Sequence, residues 1–136
     1  MLARIFRIKR AEACDESAAE KAGRLFAGGK NCAQAVLQAT TGIDDPQLMA
    51  MAEAFGGGIG GSKCLCGAIS GGVMALGLRG EGKKSAHLMA AFKERNRVTC
   101  CSALSREFKW KSREHLSNCR RITEETAGIV DGLLGD

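Results

Sequence analysis

The chain has 136 residues, 45% of them hydrophobic and 26% charged, which is enough to enclose a core and excludes a disordered, purely solvated chain. Tyrosine is absent, there is one tryptophan and one proline, and Val, Ile and Thr rarely cluster, so the composition speaks against a sheet and for helices. The net charge of +5 is uneven: residues 79–121 carry twelve Lys/Arg against four Glu, while residues 122–136 carry four acids and no base. Those positive charges interleave with apolar residues at helical spacing and bring no stacking aromatics. They read as a solvated helix face, open to an acidic partner, and not as a nucleic-acid site.

Residues 1–13 read as a basic N-terminal leader. The longest uncharged runs in residues 1–10 are two or three residues, too short for a signal-peptide core or a membrane span. The cytosol is then the expected compartment. There, cysteines are expected as metal ligands or redox thiols rather than as structural disulfides. Residues 14–136 read as one helical domain.

In chain order, apolar positions Ala18, Ala19, Ala22, Leu25 and Phe26 recur at spacings of three and four. They predict a helix over 15–27, ended by Gly28 and Gly29. Asn31 is a good N-cap for a helix over 32–41, closed by Gly42. Asp44 or Asp45 caps a third helix, with Pro46 at its first position, running to about Phe55. Gly56, Gly58 and Gly61 formally satisfy a dinucleotide-binding glycine pattern, but no strand precedes them. They read instead as a tight loop that exposes its backbone.

A fourth helix is predicted over 66–78, with Gly67, Ala68, Gly71 and Gly72 forming a small-residue face. Glycine inside a helix costs about 1 kcal/mol relative to alanine. Several together imply a close approach, either by another helix within the chain or across a homodimer. A fifth helix is predicted over 83–98, with Ala86, Met89, Ala90 and Phe92 inward. A short sixth spans 101–109, a charged linker covers 111–117, and a last helix runs over 119–134. The fold class is therefore all-α, a bundle of short helices around a glycine-rich loop.

The seven cysteines are Cys14, Cys32, Cys64, Cys66, Cys100, Cys101 and Cys119, with no C-x-x-C among them. Cys32, Cys66, Cys101 and Cys119 each fall at a predicted helix start. Unpaired N–H groups and the positive end of the helix dipole favour a thiolate there, most clearly at Cys66. Four thiolates meeting at one point suit a tetrahedral zinc or an iron–sulfur cluster. Two close pairs suit reversible disulfide chemistry, with Cys66 as nucleophile and Cys64, Cys32 or Cys101 resolving it. Cys64 with Cys66, or Cys100 with Cys101, offers a local pair, whereas Cys14 suits a buried small hydrophobe. His87, within a helix, and His115, in the linker, read as ordinary surface or satisfied histidines.

The segments N-C-A-Q-A-V-L at 31–37, F-G-G-G-I-G at 55–60, C-G-A-I-S-G at 66–71 and M-A-L-G-L at 74–78, with the later Cys101 and Cys119, resemble the C_GCAxxG_C_C family of redox-active proteins. The resemblance spans roughly residues 25–130. It implies that Cys32, Cys66, Cys101 and Cys119 are the functional thiols, with Cys100 a rival for the place of Cys101 and Cys64 a less certain neighbour of Cys66. A related domain in split-Soret cytochromes is associated with an iron–sulfur centre. The expectation is therefore an iron–sulfur redox protein serving an unidentified redox partner protein. In it Gly58, Gly60 and Gly67 offer backbone N–H groups to the cluster. Zinc and a metal-free dithiol are the alternatives.

Overall fold

The computed structural model of the chain describes residues 16–135. The predicted leader and Cys14 lie outside them. The elements are α1 (Ala18–Ala27), α2 (Cys32–Thr41), α3 (Pro46–Glu53), a 3-10 turn (Ile59–Gly61), α4 (Gly67–Leu78), a second 3-10 turn (Gly82–Lys84), α5 (Ser85–Asn96), the single turn α6 (Cys101–Leu104) and α7 (Arg113–Gly135). No strand occurs among the described residues, so the fold is all-α. Among them no helix is long and apolar enough to cross a membrane.

The N-terminal half forms where its caps direct. Ser17 accepts from the Glu20 N–H at the head of α1. Asn31 and Gln34 close a reciprocal capping box on α2, and Gly42 ends that helix in the left-handed conformation. Asp45 caps α3 with Pro46 in its first turn. Asn31 also donates its Nδ2 to the Glu53 carbonyl at 3.0 Å, and Gln34 donates its Nε2 to Met49 at 3.0 Å. These bonds fasten the start of α2, where Cys32 sits, to the exit of α3.

Helix α4 is central, contacting α2 on one side and α5 and α7 on the other. Its small-residue face does what the spacing suggests, within the chain. A Cβ at Gly71 would collide with the Ala33 carbonyl oxygen and lie 2.9 Å from the Ala33 Cα. One at Gly72 would come within 2.8 Å of Leu88 and 2.9 Å of Val130. Ile69, Ala75 and Leu76 fill the core between these contacts.

Three expectations are corrected. In α5 the buried residues are Leu88 and Phe92, one turn apart, while Ala86 and Ala90 face solvent. Larger side chains bury more apolar area, and α5 is turned to sink them. The sixth helix is one turn, not a helix to residue 109. The predicted linker is mostly the start of α7, because Ser112 accepts from the His115 N–H through its side chain and from the Leu116 N–H through its carbonyl. The charges of that stretch lie on the exposed face of α7, whose inner face buries His115, Ile122, Thr123, Thr126, Ala127 and Val130.

Gly71→Ala is expected to lower stability by about 1–3 kcal/mol in urea unfolding, since backbone and not a flexible side chain blocks the methyl. Gly128→Ala, mid-helix with nothing within 4 Å of the added carbon, is expected to raise it by about 1 kcal/mol.

Candidate functional site: a cavity lined by free thiols

Among the described residues the free cysteines are Cys32, Cys66, Cys101 and Cys119. All of them line one cavity of about 320 Å³. Its walls include Phe26, Leu104, Trp110, Leu116 and Ile122, and among the described residues no carboxylate lines it. Cys32 comes from the first turn of α2, Cys66 from the N-cap of α4, Cys101 from α6 and Cys119 from α7. Cys119 is not at a helix start: α7 begins at Arg113, which places this thiol in the second turn.

Two segments carrying Cys66 and Cys101 are bound to each other. The Cys66 N–H donates to Thr99 at 2.8 Å, and the Ser102 N–H donates to Lys63 at 3.0 Å. Between these bonds Cys64 and Cys100 form a disulfide, with Cα atoms 4.2 Å apart. Neither the C-x-C pair nor the vicinal pair closes. Cys100 pairs with Cys64, while Cys101 stays free on the cavity wall.

Backbone amides aim at three of the sulfurs: Gly57 and Ala33 at Cys32, Ala68 at Cys66, and Gly67 at Cys101. Ala33, Gly67 and Ala68 are in the first turns of their helices, where N–H groups have no intrahelical acceptor. Gly57 reaches the site with φ +70°, a conformation open to glycine. Gly67 thus does meet a cavity sulfur. A Cβ there would fall on the Cys32 sulfur and lie 2.8 Å from the Phe55 carbonyl oxygen. Gly58 and Gly60 lie elsewhere in the loop: Gly58 is pressed against the Lys63–Cys64 backbone, and Gly60 has nothing within 4 Å of a would-be Cβ.

The thiols differ in acidity, and not in the order expected from helix position. Cys66 donates its S–H to Cys101 and is 6% exposed; both effects push its thiol well above the usual value. Cys101 is the acidic one. Chiefly because it accepts that S–H, with help from the Gly67 N–H and its own, its thiol is lowered to about 7 against the opposing effect of burial. Burial raises Cys32, and it raises Cys119 to about 11, with the neighbouring thiols adding to it. The helix start therefore does not make Cys66 the acidic thiol: proton donation and desolvation outweigh it, and the lowered value falls on Cys101.

His115 belongs to the site, contrary to its reading as a linker residue. It is 3% exposed, lines the cavity, and places Nε2 3.4 Å from the Cys119 sulfur. Burial, with Lys63 adding to it, lowers its pKa, so the ring is neutral at physiological pH. Trp110 packs on the ring at 4.3 Å between centroids, and the Lys63 ammonium sits 4.3 Å over the Trp110 ring. The available signal was the i, i+4 spacing of His115 and Cys119, which shares a face only once the linker is read as helix. His87 is exposed on α5 and does not line the cavity.

An all-helical scaffold that gathers free thiols from four segments around an apolar cavity defines a class of cysteine-based redox proteins. The chain belongs to the C_GCAxxG_C_C family, described as "Putative redox-active protein (C_GCAxxG_C_C)", whose pattern matches residues 30–133. No curated protein and no solved structure matches it.

In the metal-free protein, alkylation of Cys101 is expected to outpace that of Cys32, Cys66 and Cys119, with half-maximal rate near the value of about 7 given by its environment. Peptide-resolved mass spectrometry over a pH series checks this. Cys66→Ala, which removes the proton donor, is expected to move the midpoint upward.

Proposed function

We infer that this protein is a redox protein that holds an iron–sulfur cluster on Cys32, Cys66, Cys101 and Cys119, for electron transfer or sensing. The observation that carries the reading is the convergence of four free thiols on one apolar cavity of about 320 Å³. The donor set fits the group, since thiolates are its usual protein ligands. Among the described residues that line the cavity there is no carboxylate to compete for the metal.

Among the described residues no three of His, Cys, Asp and Glu are grouped so as to hold a single metal ion. A mononuclear zinc asks for four ligands drawn in to about 2.3 Å from one point. When bound, an iron–sulfur cluster supplies an electron-accepting and electron-donating couple whose potential its surroundings set. The chain's own part is to hold the sulfurs, exclude water with Phe26, Leu104, Trp110 and Ile122, and direct N–H groups at sulfur. Those N–H groups stabilise the more negative state and raise the potential.

A second reading rests on Cys66 and Cys101 sharing the cavity wall, with the Cys101 thiol lowered to about 7, and on the Cys64–Cys100 disulfide. In it the Cys101 thiolate and Cys66 thiol pass two electrons to a disulfide-bearing partner. A Cys66–Cys101 disulfide forms, and the partner's disulfide becomes one thiolate and one thiol.

Anaerobic reconstitution with ferrous iron and sulfide tests the first reading. Brown protein with visible absorption and acid-labile sulfide is expected. The chromophore should be lost in Cys32→Ser, Cys66→Ser, Cys101→Ser and Cys119→Ser, and kept when Cys64 and Cys100 are both changed to Ser. Colourless protein carrying stoichiometric zinc would sink it. Colourless, metal-free protein whose thiol count falls by two on oxidation would establish the second reading instead.

A further inference from the structure

The cavity sulfurs are not equally served by hydrogen-bond donors. Cys32, Cys66 and Cys101 each receive backbone N–H groups. Cys119 instead sits in the second turn of α7. Inside a helix, each N–H is engaged with the carbonyl four residues earlier and cannot turn to a side chain. A helix-interior thiol therefore needs a side-chain donor.

His115 lies one turn earlier on the same face, its Nε2 3.4 Å from the Cys119 sulfur. The other ring nitrogen settles the direction of this contact. The Lys111 N–H donates to His115 Nδ1 at 2.8 Å, so Nδ1 is the acceptor, and in the neutral ring Nε2 carries the hydrogen. The donor at Nδ1 is itself fixed in place. Lys111 has φ +66°, and this left-handed residue turns the chain just before α7 so that its N–H points back at the ring. Trp110 packs on the imidazole at an interplanar angle of 31°, holding it from the cavity side.

The geometry points to His115 as a positioning residue for Cys119: it donates its Nε2–H to the Cys119 sulfur and stabilises negative charge there, as a side-chain counterpart of the backbone donors at the other three thiols. The Lys111 amide fixes the tautomer and Trp110 fixes the ring plane. The consequence for a cluster's potential rests on the reading above. The hydrogen bond itself belongs to the metal-free chain and is tested there.

Nitrogen NMR of the imidazole in the full-length, metal-free protein should show a bare Nδ1 and a protonated Nε2. The Nε2–H resonance should move in Cys119→Ala. Iodoacetamide labelling of Cys119, read by peptide mass spectrometry at about pH 9, below the value of about 11 set by its surroundings so that the rate follows the thiolate fraction, is expected to slow in His115→Leu. The loss should be about tenfold, the lower end of what a hydrogen bond to a charged group supplies. His115→Gln, which keeps an N–H near the Nε2 position, should restore most of the rate. In cluster-loaded protein, His115→Leu should lower the reduction potential by a tenfold change in equilibrium constant, ~59 mV for a one-electron couple.

A protonated Nδ1 would overturn the proposal, as would unchanged Cys119 labelling in a His115→Leu protein of native circular dichroism. If His115→Leu does not fold, the native tautomer and its response to Cys119→Ala decide. Failure of the native protein to take up a cluster, with tautomer and labelling as expected, would remove the cluster reading and leave the role of His115 standing.

Discussion

The site depends on how closely α4 lies against α2. Two glycines make that approach possible, Gly67 against the Cys32 sulfur and Gly71 against the Ala33 backbone. The contact does more than pack two helices. It brings the first turn of α4, with its unpaired N–H groups, up to the thiols of the neighbouring segments, so that Gly67 serves Cys101 and Ala68 serves Cys66. A methyl group at either glycine would separate the helices and pull those donors off the sulfurs. The helix-propensity cost of glycine, about 1 kcal/mol per position, is the cost of assembling the cavity from this side.

Around that contact the sulfurs occupy different electrostatic settings. Burial opposes charge on each of the four free thiols, so local donors decide which ones ionise. The Cys66–Cys101 pair divides one proton unevenly, with Cys101 taking the negative charge. The disulfide beside it, and the backbone bonds Cys66–Thr99 and Ser102–Lys63, hold the two segments in fixed register. That half of the cavity is therefore defined by local covalent and hydrogen-bonded links, whereas Cys32 and Cys119 arrive through helix packing.

Much of this was legible in the residues. Asn31, Asp45, Pro46 and Gly42 act as the caps and stops their chemistry suggests, because capping is local and carries its own signal. The four cysteines that share the cavity are those picked out by their contexts, and the small-residue face of α4 did signal close approach. What was not legible depended on tertiary structure. The charges of residues 111–117 obscured the start of α7, and with it the position of Cys119 and the place of His115. Leu88 prevailed over Ala86 and Ala90 because burial is decided by the facing surface. The Cys64–Cys100 pairing joins residues 36 apart in sequence and leaves no local trace. The acidity order inverted because Cys66 keeps its proton to donate to Cys101 and is buried, and these two effects outweigh the Ala68 N–H and the helix start.

The unequal supply of donors has an evolutionary consequence. A backbone N–H is present whatever side chain it carries, so the environments of Cys32, Cys66 and Cys101 can be altered only by moving the chain. The contact at Cys119 is made by a side chain, and one codon can remove, weaken or replace it while the path of α7 stays as it is. Position 115 is thus where relatives sharing this scaffold can diverge in electrochemical behaviour without rebuilding it, and a natural place to look for differences between them.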